Sequence, residues 1–307
     1  MSNAQLAPTY QSDTPSDRFG GGDAMAAARS AGMAFLSSLA TELSGGTVDL
    51  PCFPEIVVRV RQALDNPKMK PEEAVTIVGA EPRLAAKLLH IANSAAFNPS
   101  GKPLADLRSA ITRLGYQQVQ SATMAFAIQQ MKNAESLRGI AQPLSELWKQ
   151  SIAVASIAQV VARRTKVRPD EAFLTGLLHG IGRLYIMVRA TRQASLTENE
   201  AFMDLVSGWH AGIGKAVIEN WGFAETMAEA IGMQRDYDAQ HKHAATLSDI
   251  LIVSVVLSDL LQEPLPRVPD TSGIFAFQSV GLTEADCAVV LTHAQYQLGA
   301  LHEALGC

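Results

Sequence analysis

The sequence predicts an all-α protein, a multi-helix bundle in two lobes, on three observations. Apolar residues recur at helical spacing along most of the chain. Of the 307 residues 48% are apolar but only 6% aromatic, so the expected core is mostly Leu, Val, Ile and Ala. Runs that alternate apolar with polar residues, the mark of a half-buried strand, are few. A chain of this length can bury a sizeable core without staples.

Residues 1–23 are rich in Ser, Asp, Pro, Gln and Gly and read as a disordered tail. An alanine-rich helix follows from Ala24 to Leu43 and ends at Gly45-Gly46. Leu50-Pro-Cys-Phe-Pro54 is an extended lead-in, because each proline biases its predecessor away from the helix. Ile56, Val57, Val60 and Leu64 then mark a helix that Asn66-Pro67 breaks. Pro71-Glu-Glu opens the next, with proline and acids where the first turn favours them. Glu81-Pro82 starts another, carrying Leu84, Leu88, Ile91 and Ala95 on one face, before the turn cluster Phe97–Gly101. Asp106–Leu114 is a short helix stopped at Gly115, and a long one runs from Gln117 to Met131.

A polar, broken stretch, Asn133–Pro143, divides the chain into an N-terminal lobe, 24–135, and a second lobe, 136–262. The second opens on a helix from Leu147 to about Thr165. Its centre is the run Leu174–Val188, in which Leu174, Leu177, Leu178, Ile181, Leu184, Tyr185 and Val188 share one broad face and Arg183 is the one formal charge. A helix apolar nearly all round belongs inside a bundle. Gly176 and Gly180, one turn apart, form a notch that a neighbouring backbone can approach, and His179 sits between them. Helices are expected at Glu198–Ser207, His210–Trp221, Glu225–Met233 and Ser248–Leu261, with a polar loop Gln234–Ala245 holding His241 and His243. In 263–307 a proline-bearing loop leads to Thr283-Glu-Ala-Asp286, which resembles a capping box, and a last amphipathic helix to about Leu305, expected to pack on the second lobe.

The formal net charge of −5 argues against a nucleic-acid partner, and the basic patch of Lys68, Lys70, Arg83 and Lys87 reads as a solvated face. No signal peptide is evident, and the apolar run Ile250–Leu257 is too short to span a bilayer, so no membrane role is expected. Cys52, Cys287 and Cys307 form no CxxC pair, which fits a cytoplasmic protein without disulfides. Phosphate-loop, dinucleotide-binding and nucleophile-elbow motifs are absent from the sequence.

Five stretches, in order, carry a resemblance: Leu50–Pro54; Glu81–Leu89 with Asn93-Ser94-Ala95; Ala110–Gly115; Leu147-Trp148 with Ser151; and Ala172-Phe-Leu-Thr-Gly-Leu-Leu-His-Gly-Ile-Gly-Arg-Leu184. Over residues 38 to 262 they make the chain similar to the HDOD family, helical relatives of the HD phosphohydrolases and HD-GYP domains. The resemblance implies an HD-domain-like fold and a role in bacterial signalling or regulation.

An HD phosphohydrolase uses a divalent metal to activate water and polarise a phosphoryl oxygen. Its pattern is a His, then an adjacent His-Asp pair, then a later Asp. Carried onto this chain, the first His falls near Gln150, the pair on His179-Gly180, and the later Asp on Asp259. The pair's carboxylate is therefore missing, and two candidate ligands remain where a catalytic zinc normally has three. His210 stands where some HD-GYP proteins carry a further ligand, but Met233-Gln234 replaces the histidine pair expected later. His179 then reads as a core histidine bonded to a carbonyl or a polar neighbour, His210 as helix-terminal or packing, and His241 and His243 as solvated loop residues.

The expected protein is a non-catalytic HDOD-type signalling module without metal or cofactor. It would bind a signalling partner, or a small ligand, through the cleft between its lobes, with Gln150, His179, Gly180, Gln234 and Asp259 structural or ligand-contacting. The alternatives are a divergent metal-dependent phosphohydrolase acting on a nucleotide or cyclic dinucleotide, and an adaptor forming a homodimer through its terminal helices.

Overall fold

The computed structural model describes residues 20–50, 53–64, 66, 68–94, 97–99, 101–193, 196, 200–241, 244–260 and 273–305. The expected tail before residue 20 lies outside these, as do Cys52, Ala95, His243 and Cys307. Among the described residues there are helices and turns but no strand.

The helices are α1 (Gly20–Ser44), α2 (Glu55–Leu64), α3 (Pro71–Gly79), α4 (Pro82–Asn93), α5 (Leu107–Lys132), α6 (Ala141–Ala162), α7 (Pro169–Leu178), α8 (Ile181–Ala190), α9 (Glu200–Asn220), α10 (Glu225–Met233), α11 (Leu247–Leu260), α12 (Phe275–Ser279) and α13 (Glu284–Leu305). A 3₁₀ turn, Glu135–Ile140, precedes α6. The starts follow local chemistry. Proline opens α3, α4 and α7, and the Asp106 carboxylate accepts from Ser109 N at 2.8 Å to cap α5. The box at α13 closes both ways: Thr283 N donates to Asp286 Oδ2 at 3.0 Å, and Asp286 N to Thr283 Oγ1 at 3.3 Å.

Several boundaries differ from the sequence reading. The helix α1 begins at Gly20, so the glycine run 20–22 belongs to its first turn and not to the tail. The two helices expected around Gly115 run on as α5 with a break there, because Gly115 takes φ 75°, a value open to glycine at little cost. The run 174–188 is two helices, α7 and α8, parted at His179-Gly180, where Gly180 has φ −87° and ψ 4°. Conversely, the helices expected on either side of Gly208 are one, α9: an interior glycine costs about 1 kcal/mol and does not by itself stop a helix.

At the centre lies α6, buried on nearly every side and packed against α5, α7, α11 and α13. Two glycines set the closest crossings. A Cβ at Gly176 would lie 2.7 Å from Ala155 Cα, so α7 presses its backbone onto α6. At Gly182 a Cβ would run into the His210 carbonyl oxygen and lie 2.5 Å from Gly214 N, so α8 and α9 touch backbone to backbone. The first helix, α1, packs along α9, with Phe35 edge-on to Phe202 at 5.9 Å. It is tied to α8 by Arg189, which meets Glu42 at 2.8 Å and donates to Tyr185 Oη at 3.0 Å.

Candidate functional site

The break between α7 and α8 places His179 at the end of α7, 4% exposed. Its Nδ1 lies 2.7 Å from the Gly176 carbonyl oxygen. A carbonyl only accepts, so Nδ1 carries the proton and Nε2 keeps its lone pair. Gln234, 1% exposed, holds the turn from the other side, donating from Nε2 to the His179 carbonyl at 3.1 Å and to Ile231 O at 2.8 Å. His210 repeats the pattern from α9: it is 4% exposed, with Nδ1 2.9 Å from Ser207 O. It is a mid-helix core residue, not a helix-terminal one.

The two imidazoles lie near each other, and the guanidinium groups of Arg183 and Arg235 lie near both. Burial pushes His179 down to about 4; the Gly176 carbonyl opposes this, and the proximity of His210, Arg183 and Arg235 adds to it. Burial, then Arg183 and Arg235, pushes His210 down to about 4 as well. Both rings are therefore neutral at pH 7. Asp259, an exposed residue, lies near the same arginines and accepts a hydrogen bond from Gln150. Desolvation pushes its carboxyl up, and Arg235 and Arg183 pull it back. The fold thus gathers Gln150, His179, His210 and Asp259 into one cluster and adds Arg183 and Arg235, which were not singled out as site residues. The lone charge of Arg183 inside an apolar run was the available signal for one of them. Nothing in the polar loop marked Arg235.

Position 180 is more than a missing carboxylate. A Cβ there would lie 2.6 Å from Leu147 Cδ1 and 3.5 Å from Ser151 Oγ. Leu147 fills the space an aspartate would need. Among the described residues no group of three or more His, Cys, Asp or Glu is placed to hold a metal. Two positive side chains lie near the imidazoles, and Leu147 stands beside Gly180.

His241 departs from the solvated-loop expectation. It packs edge-on to Phe275 at 5.2 Å, and its Nε2 meets Asp249 Oδ2 at 2.9 Å. Asp249, 3% exposed, also accepts from Thr246 N at 2.8 Å, Thr246 Oγ1 at 2.8 Å and Ser279 Oγ at 3.0 Å. One buried carboxylate therefore caps α11 and fastens α12 and the His241 loop to it. Asp249→Ala strands four donors and should cost about 2–3 kcal/mol. Urea unfolding would check this, and a midpoint unchanged from the parent would refute the clamp.

A separate cavity of about 910 Å³ opens between α4 and α5 on one side and α6, α7 and α13 on the other. None of the clustered site residues lines it. The volume lies in the range typical of ligand pockets. Arg164, on its wall, is latched to Asp286 at 2.6 Å, which joins the end of α6 to the first turn of α13.

Comparison with known proteins places these features. The family model of the HDOD domain matches residues 50–237. An uncharacterized protein of Treponema pallidum (strain Nichols) is 22% identical over 247 residues, covering 76% of this chain. The chain spans about half, 47%, of that relative's length. Among solved structures, a candidate metal-dependent phosphohydrolase of Shewanella amazonensis SB2B is similar with a TM-score of 0.62 and 23% identity, covering 86% of this chain and 99% of its own. An HDOD domain protein of unknown function from Geobacter sulfurreducens gives 0.58 and 23%, covering 87% and 96%. A candidate signal transduction protein of Marinobacter aquaeolei VT8 gives 0.59 and 19%, covering 91% and 66%. At these identities the likeness establishes the shared all-helical fold.

Proposed function

The chain belongs to the HDOD domain family, and from that membership we propose that it is a non-catalytic signal-transduction module acting by binding. A protein partner or a small ligand would occupy the cleft between its α4–α5 and α6–α13 faces. The observation that carries the reading is the charge arrangement at the degenerate metal site. Arg183 and Arg235 stand against both buried imidazoles, and Leu147 fills the space beside Gly180. A divalent cation there would be repelled by two guanidinium groups, with one exposed carboxylate to offset them. The cluster then serves the fold: His179 and Gln234 bond the α7–α8 turn and the end of α10 together.

Metal analysis of the purified protein, with turnover of bis-(p-nitrophenyl) phosphate and a cyclic dinucleotide in added manganese, tests this. No stoichiometric metal and no metal-dependent turnover are expected. His179→Ala should lower the melting temperature and leave that absence of turnover unchanged. Manganese-dependent hydrolysis that disappears in His179→Ala would refute the proposal. It would favour a divergent phosphohydrolase, for which the two Nε2 lone pairs and Asp259 are the supporting features.

A further inference from the structure

Several buried hydroxyls among the described residues donate to carbonyls of their own helices. Thr123 donates to Val119 O at 2.7 Å, Ser156 to Ile152 O at 2.9 Å, Ser254 to Ile250 O at 2.6 Å and Ser258 to Val255 O at 2.8 Å. Ser121, on α5 and 2% exposed, differs from these: its fully buried Oγ has no hydrogen-bond partner among the described residues. Such a hydroxyl costs on the order of 1–3 kcal/mol unless something else meets it. Ser121 lines the 910 Å³ cleft.

The surroundings say what could meet it. Leu114, Ala122, Ala125, Val160 and Phe173 line the same space, and each is at least nine-tenths buried. The two alanines leave the α5 wall low. Val289 and Tyr296, 50% and 80% exposed, stand on α13 at the cleft. Arg113 and Arg163 also line it, and neither meets a carboxylate among the described residues, whereas Arg164 is held by Asp286. The one acid in the lining, Asp170, already accepts from Gln118 at 2.6 Å. Arg113 donates to the Ala92 carbonyl at 3.3 Å. An apolar cleft with one unmet buried hydroxyl and two guanidinium groups that meet no carboxylate among the described residues is complementary to a molecule that is apolar in its body and negative at one end.

We propose that the cleft binds an amphipathic organic anion: an aliphatic or aromatic body bearing a carboxylate or a phosphate. Ser121 supplies the buried hydrogen bond, and Arg113 and Arg163 hold the anionic group. The proposal rests on the reading of the chain as a binding module and names what is bound. The bound molecule touches α5, α6 and α13 together, so occupancy would fix α13 against the body of the protein. That gives a small-molecule signal a mechanical consequence at the C-terminal helix.

Calorimetric titration of the full chain tests this, with dodecanoate and dodecyl phosphate as probes below their micellar concentrations. Decyltrimethylammonium and an acidic amphipathic peptide are the contrasting arms. Saturable binding of about one equivalent of at least one anion is expected, and the two head groups distinguish carboxylate from phosphate recognition. The double substitution Arg113→Gln/Arg163→Gln should weaken it at least about tenfold. Ser121→Ala should weaken it about threefold to tenfold without lowering the melting temperature, since no hydrogen bond within the protein is lost. No saturable uptake of either anion overturns the assignment, as does equal uptake of the cation or indifference to all three substitutions. Binding of the peptide without either small anion overturns it too, because the cleft is then a protein-docking groove. Turnover measured on the same preparation separates the two readings: hydrolysis refutes the binding module itself, while absent binding without hydrolysis refutes only the ligand.

Discussion

Gly182→Ala should unfold the second half of this protein or cost it about 4 kcal/mol or more, beyond the usual 1–3 kcal/mol of an overpacked core. The added methyl would run into the His210 carbonyl oxygen, with Gly214 N at 2.5 Å and Gly214 Cα at 2.9 Å. These are backbone atoms of a packed helix, so no rotamer change relieves the collision. The α8–α9 crossing would have to open, and His210 and the residues along it would lose their contacts together. Gly208→Ala, in the same helix α9, is the control: nothing lies within 4 Å of a Cβ there. It should be neutral or stabilising by up to about 1 kcal/mol, from helix propensity alone. Thermal unfolding of both variants is the measurement. At roughly 2–4 °C per kcal/mol for a chain of this size, Gly182→Ala should fall by about 10 °C or more. A Gly182→Ala protein that melts within a degree of the parent would mean that the two backbones are not in contact.

The second large effect is acid lability. His179 and His210 are each pushed down to about 4 when folded, whereas a free imidazole titrates near 6.5. Between those values the unfolded chain binds two protons that the folded chain refuses. Stability therefore rises with pH across that window, is fully present above pH 6.5 and falls as pH drops towards 4. Two such groups give a slope of about 2.7 kcal/mol per pH unit at the steepest part, so a few kcal/mol disappear by pH 5. That is a large fraction of the stability of an ordinary domain. Asp259, whose carboxyl is pushed up, works in the opposite sense and trims the slope near its lower end. Urea unfolding at pH 7, 6, 5.5 and 5 reads the effect directly. His210→Leu removes one titrating group from the comparison and should roughly halve the slope, although it lowers stability at pH 7. Equal stability at pH 7 and 5 would show that the pair stays solvated or protonated inside the fold.

These two predictions mark where the sequence could be read and where it could not. The Thr283–Asp286 box, the proline starts of α3, α4 and α7 and the apolar face of α4 are interactions over three or four residues, so their spacing is visible in the chain itself. Gly176 was legible as a point of close approach for the same reason: two glycines one turn apart on an apolar helix are conspicuous. Gly182 was not, because nothing local distinguishes a glycine that meets a partner backbone from one, like Gly208, that meets nothing. The clustered site divides in the same way. His179 and Gly180 stood out by their place in a family motif. The arrival of Arg235 from beyond α10, and of His241 on Asp249, depended on how loops fold back over helices.

By itself the sequence determined that this is an all-helical HDOD protein, set most helix starts and showed that a carboxylate is missing beside His179. Those features are written in short-range periodicity and in residue identity. Only the tertiary structure decided that Leu147 stands in the space beside Gly180, that two arginines lie near the imidazole pair, and that Ser121 lines, unpartnered, a cleft walled by α13. Each of these depends on which side chains meet across helices far apart in the chain, and crossing angles and separations are fixed by the packing of the whole core rather than by any local stretch.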